Sequence, residues 1–297
     1  MNPVTNFPNR RSFLQTAAGF ALGSAAGSAA APLAFGADTK RRYPYACSTI
    51  NYSTLSFEEA CKRIAALGYE AVDIWHSVGS SMKCPHLEYI GSTLKAEGLM
   101  KVLEQNRLKL CGFSVYGTSY AKYAELLGQC GGGVAVRGSC SVSGSLNEDM
   151  KKFIESLKAD IELCEKHNSY LLIENHSGNA LLNKLDSLKA FVDINKSGRL
   201  GIALAPYHFL ANKESVTEAV RVCGKQLGFI YFWTNEPGEK QMPGVGSVDV
   251  KDWFPALDSV GYSRYITPFM HHEPAPDKMD ELHRRSLKYL KNLEQQR

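Results

Sequence analysis

Residues 170–178 read YLLIENHSG: four residues of apolar character, Tyr170 to Ile173, run directly into Glu174, Asn175 and His176. A short continuous apolar run bounded by turn residues is the pattern of a strand buried on both faces. Ending such a strand in a carboxylate, an amide and an imidazole has two readings: the strand simply surfaces there, or it delivers chemistry to one mouth of a larger scaffold.

Outward from this stretch the chain alternates. Strands are predicted at YACSTI (45–50), EAVDIW (70–75), LKLCGFSVYG (108–117), GVAVRGSC (133–140), 170–174, LGIALAPYH (200–208), GFIYFWTN (228–235) and RYITPFM (264–270). Helical patterns lie between them. The first, 56–68, has Ser56 and Glu59 at capping-box spacing and Gly68 as its stop. Others are read at 92–106 and 119–128, around Leu181, Leu185 and Leu188, over Val216 to Gly224, and at 249–261 and 277–294. The clearest carries Met150, Phe153, Ile154, Leu157, Ile161 and Cys164 on one face, read as a single helix. Eight strand–helix units in residues 43–295 predict an α/β fold, a (β/α)8 TIM barrel in one domain. An open doubly wound sheet would need a glycine-rich phosphate turn after the first strand, and that turn is missing.

The first 37 residues are set apart. Arg10 and Arg11 precede Phe13 and Leu14, an uncharged Ala- and Gly-rich stretch follows, and Ala34, Gly36 and Ala37 offer small residues for cleavage. This resembles a twin-arginine export signal, with Asn9 and Gln15 departing from the usual pattern. Ala, Gly and Ser would make a weak membrane anchor, so the expectation is cleavage, a periplasmic location and no stable membrane insertion. Removing Arg10 and Arg11 takes the formal charge from +4 to +2. That is no basic footprint for nucleic acid. The eight cysteines include no CxxC pair and are read as small buried hydrophobes, a loop disulfide through Cys84 or Cys130 being left open.

Several strand ends carry polar or aromatic residues. The second offers Asp73, Trp75 and His76; the fifth Glu174, Asn175 and His176; the sixth His208 beside Tyr207; the seventh Tyr231, Trp233 and Asn235; the eighth His271, His272 and Glu273. His86 is read near a strand end as well, while His167 and His283 are read as solvated residues on helices. In a barrel these ends meet at one mouth. Glu174 is expected to act as base, with His208 or His271 as acid or oxyanion partner. Asp73, Trp75, His76, Asn175, His176, Tyr231, Trp233 and Asn235 are expected to bind substrate, the rings of Trp75, Tyr231 and Trp233 suiting either the apolar face of a sugar or the packing of the barrel.

The stretches FEEACKRIAALGYEAVDIW (57–75), LLIENHSG (171–178) and GVGSVDVKDWFPALDSVGYSRYI (244–266) resemble the sugar phosphate isomerase/epimerase group, barrels of the xylose isomerase-like kind. The resemblance spans about residues 43–295. It implies a carbohydrate substrate and proton transfer beside a carbonyl. Lyases on oxidised sugars share that step, and a non-catalytic sugar-binding barrel is the other reading. A phosphodiester-cleaving enzyme is disfavoured by the lack of clustered ligands and of a basic surface. Export would favour free or oxidised sugars. A homo-oligomer is compatible with the sequence.

The resemblance also implies a divalent metal, Mn, Co, Mg or Zn, held by Glu on strand five, Asp on strand six, His on strand seven and Glu on strand eight. Glu174 matches the first position, whereas Ala205, Tyr231 and Phe269 occupy the others. Two repairs are open: a nitrogen-rich zinc site drawing on Glu174, His176, His208, His271 or His272, or a metal-free Glu174–His208 acid/base pair.

Overall fold

The computed structural model describes residues 43–78 and 83–297; the expected export segment lies outside the described residues. Eight parallel strands follow one another around a ring: β1 Ala46–Ser48, β2 Ala71–Val78, β3 Lys109–Val115, β4 Gly133–Gly138, β5 Ser169–Glu174, β6 Leu200–Leu204, β7 Leu227–Phe232 and β8 Ile266–Pro268. Each pairs with the next in chain order, and a parallel bridge from Tyr45 to Ile266 brings the last back to the first. Helices lie between successive strands, giving a (β/α)8 barrel. A two-residue antiparallel strand, Lys83–Cys84, pairs with the end of β2.

Strand alternation sorts the side chains into two apolar layers. Val72, Ile74, Leu171, Ile173, Ile202, Leu204, Ile230 and Phe232 pack outward with the helices. Trp75, Val134, Val136, Leu172, Ala203, Phe229, Tyr231 and Phe269 fill the interior. Leu172 reaches across the barrel because β6 and β7 present glycines to it. A Cβ on Gly201 or Gly228 would stand 3.0 or 2.6 Å from Leu172 Cδ2. The interior is thus a packed core closed below the mouth.

Three expected elements differ. The strand read over 200–208 stops at Leu204, and Pro206 opens the helix Pro206–Ala211, so His208 sits on a helix. Proline fits the first helical turn, where its missing N–H has no partner to lose. The long helix breaks at Leu157 into Leu146–Ser156 and Lys158–Lys166. There the Ser156 hydroxyl donates back to the Phe153 carbonyl at 2.6 Å, and the Leu157 N–H takes the tighter bond to Ile154. Thirdly, β4 ends at Gly138, leaving Cys140 exposed beyond it.

All eight cysteines are free, and six are buried, so the loop disulfide through Cys84 or Cys130 does not form here. His283, read as solvated, is fully buried: its Nδ1 lies 2.6 Å from the Tyr69 hydroxyl and its Nε2 3.7 Å from Cys47 Sγ. His86 is also buried, at the start of the short helix His86–Tyr89, with Nε2 on the Leu55 carbonyl. Among the described residues no helix is long and apolar enough to cross a membrane.

Candidate active site at the barrel mouth

Period-two alternation decides which strand-end residues face the interior. On β2 it sends Asp73 and Trp75 inward; on β5 it sends Glu174 inward, with His176 on the same side just beyond; on β7 it sends Tyr231, and after it Trp233. Ser114 on β3 and Tyr116 just past it share the same face.

Two buried carboxyls each accept from neighbouring hydroxyls. Asp73 is fully buried and accepts from Ser48 Oγ at 2.7 Å, Trp75 Nε1 at 2.6 Å and Ser114 Oγ at 2.7 Å. Ser114 Oγ is 2.7 Å from the Tyr231 hydroxyl, which lies 3.4 Å from Asp73 Oδ2, and the Tyr116 hydroxyl donates to Glu174 Oε2. Burial pushes Asp73 up to about 6 despite its four donors, and raises Glu174 above the usual carboxylate range.

The imidazoles gather on the Glu174 side. His176 Nε2 lies 3.3 Å from Glu174 Oε2, and the His176 and His208 rings are 4.8 Å apart. Ser177 Oγ stands 3.1 Å from His208 Nδ1. Burial, reinforced by the neighbouring imidazoles His176 and His271, lowers His208 to about 3, so it stays neutral. His271 is more exposed and is lowered less, also by burial and then by His176. Its ring meets Trp233 edge-on at 4.8 Å and Phe269 at 4.7 Å, while Gln241 Oε1 accepts from its backbone N–H at 2.7 Å. Tyr207 stacks on Trp233 at 4.2 Å and Tyr116 on Trp75 at 4.7 Å. The mouth therefore combines one carboxyl and three imidazoles above a floor of stacked aromatic rings.

Three expected binding residues lie elsewhere. His76 follows Trp75 by one residue and so points outward. Its Nδ1 pairs with the Tyr116 carbonyl at 2.9 Å, and its ring packs on Tyr123. Asn175, between two inward residues, is buried and spends its amide on the backbone of Ala205, accepting from N at 2.7 Å and donating to O at 3.1 Å. It extends the β5–β6 ladder past the last strand pair. Asn235 is exposed in the loop after β7. Asp73, Tyr231, Trp75 and Trp233, though inward, are buried, so the structure places them beneath the mouth as packing and hydrogen-bonding groups rather than on its surface. Tyr116, Ser48 and Ser114 were not singled out from the sequence, although alternation from Ser114 places Tyr116 beside the mouth.

The four-ligand metal set implied by the resemblance does not fit these residues. Ala205 has no donor, Phe269 is buried against Trp75 at 5.5 Å, and Tyr231 is committed to Ser114 and Asp73. A different and partial ligand group is present: Glu174, His176 and His208 offer one atom each, all within 4.8 Å of one another.

A family model described as xylose isomerase-like TIM barrel matches residues 61–293. Comparison with curated proteins finds no match. Among solved structures, 3-keto-D-glucoside 4-epimerase from E. coli superposes with a TM-score of 0.68 at 15% identity, covering 84% of this chain and 100% of that one. D-psicose 3-epimerase, solved in the presence of D-fructose, gives 0.68 at 16% identity, covering 84% and 99%. The probable 3-DHS dehydratase of petrobactin synthesis from Bacillus anthracis gives 0.64 at 16% identity, covering 84% and 99%. At such identities the likeness establishes the fold.

Proposed function

The chain belongs to the xylose isomerase-like TIM barrel family, and from that premise we propose that it is a sugar isomerase or epimerase that removes a proton beside a carbonyl of an unphosphorylated keto sugar. The observation that carries this reading is Glu174: a nearly buried carboxyl at the C-terminal end of β5, with His176 and His208 donor atoms within 4.8 Å. That end of the barrel is where this fold carries out chemistry.

Glu174 is the base. A raised carboxyl is better matched to taking a carbon-bound proton near neutral pH than an ordinary glutamate. His271 follows β8, three strands around the ring from β5, and serves as the donor to the substrate oxygen or returns the proton on the opposite face. Tyr207, half-buried and backed by the buried Trp233, is the aromatic ring beside His208 that a sugar would meet. A divalent ion, held by Glu174, His176 and His208, would supply a Lewis acid that polarises a substrate oxygen.

The preference for an unphosphorylated sugar rests on the expected export of the chain. The 3-keto-D-glucoside 4-epimerase among the similar structures supports a keto sugar, and the twin-arginine-type N-terminus supports an exported enzyme. A lyase would share the first step and differ in what leaves next; the dehydratase among the similar structures supports keeping it as the second reading.

The test is incubation of the protein with a panel of free ketoses and 3-keto glycosides in D2O, followed by NMR. Deuterium at the carbon beside the carbonyl, with or without a change of configuration, is expected. Loss of water without prior exchange would favour the lyase, and no reaction across the panel would leave a binding barrel.

A further inference from the structure

We propose that Glu174, His176 and His208 form a tetrahedral zinc site, displaced from the metal position that the family pattern implies and open at its fourth corner. The proposal rests on the reading above for the use of the ion, but not for its binding.

The first argument is distance. Zinc holds histidine nitrogen and carboxylate oxygen at about 2.0–2.2 Å, so neighbouring corners of its tetrahedron lie about 3.3–3.5 Å apart. His176 Nε2 and Glu174 Oε2 are 3.3 Å apart, one such edge. His208 completes a triangle whose widest side is at most 4.8 Å, which a small side-chain rotation closes.

The second argument concerns hydrogens. His176 Nδ1 lies 3.4 Å from the carbonyl oxygen of Glu174, a group that only accepts. The ring hydrogen therefore belongs on Nδ1. Nε2 of the neutral ring then turns its lone pair toward the Glu174 carboxylate, an acceptor facing an acceptor. A cation between them resolves that contact; a doubly protonated ring or a protonated Glu174 carboxyl would also resolve it, and metal titration separates these cases.

Orientation supports the same site. The Ser177 hydroxyl faces His208 Nδ1 and fixes that ring, while the Tyr116 hydroxyl donates to Glu174. Outer hydrogen bonds of this kind are what hold metal ligands in place. One oxygen and two nitrogens suit zinc better than magnesium or manganese, which favour oxygen-rich shells. Three protein ligands with an open corner is the arrangement of catalytic rather than structural zinc. At the family position Ala205, Tyr231 and Phe269 provide nothing comparable.

The experiment titrates chelator-washed protein with Co²⁺, read by visible absorption, and with Zn²⁺, read by equilibrium dialysis. The expected result is one ion per chain, a Co²⁺ band of four- or five-coordinate intensity that Zn²⁺ abolishes, and zinc preferred over Mn²⁺ by about 100-fold or more. His176→Ala, His208→Ala and Glu174→Gln should each weaken zinc binding by about 100-fold. His208→Gln and circular dichroism guard against a folding defect, and His271→Ala should leave binding within about threefold. Failure of folded wild-type protein to take up either ion, or an ion retained in both His176→Ala and His208→Ala, would overturn the proposal. Neither readout requires turnover. Zinc binding without deuterium exchange would still support the site while removing the catalytic reading; exchange by zinc-free protein that binds no zinc would overturn the site alone.

Discussion

The hydroxyl of Tyr116 donates to Oε2 of Glu174, the same oxygen that faces His176. This bond favours the ionised carboxyl and opposes the burial that raises it. Replacing Tyr116 by Phe removes the donor, so Glu174 should hold its proton to higher pH. A base must be ionised to act, so the acid limb of the kcat/KM profile is expected to move to higher pH, with a loss at neutral pH of about 10- to 100-fold. A parallel profile recorded for wild-type protein checks the shift. An unmoved limb would mean that Glu174 is not the group being read.

Asn175 should matter for stability rather than for binding. Its amide satisfies both backbone groups of Ala205 in a buried setting. Asn175→Ala strands that N–H and C=O, at a cost of about 2–4 kcal/mol. Urea denaturation at neutral pH measures this. If the fold keeps its stability and KM rises instead, Asn175 contacts substrate after all.

His283 gives a stability signature in pH. Burial lowers it to about 3, well below its ordinary 6.5. A depressed imidazole contributes stability that is complete above about pH 6.5 and is lost as pH falls toward the folded value. Between about pH 4 and 6 the wild-type stability should therefore drop on acidification. His283→Gln should remove about 1.4 kcal/mol per pH unit from that slope. An unchanged slope would show that the acid sensitivity arises at other groups.

Much of the barrel was legible because its strands are continuous apolar runs, which parallel burial on both faces requires. Ends were harder. Ala205, Pro206 and Tyr207 continue the apolar character of β6, so composition alone carries the strand too far, and the proline is the signal that a helix begins. The break at Leu157 is invisible to periodicity, since Leu157 and Ile161 keep phase across it; a serine hydroxyl bonded back onto the helix causes it. In the site, alternation alone would have turned His76 and Asn175 away from the mouth once Trp75 and Glu174 were placed inward. The same rule points from Ser114 to Tyr116. What no local rule contains is the pairing of Asp73 with Ser114 and Tyr231, or of Glu174 with Tyr116, because these residues come from β2, β3, β5 and β7 and meet only when the ring closes.

The central claim is that Glu174 removes the carbon-bound proton, and isotope exchange with solvent measures that step without waiting for product. Wild-type protein and Glu174→Gln, both shown to be folded, would be compared in D2O on the best ketose or 3-keto glycoside. The expected result is deuterium at the carbon beside the carbonyl with wild type, and a rate lower by about 1,000-fold or more with Glu174→Gln. Exchange at an undiminished rate in Glu174→Gln would contradict the assignment outright.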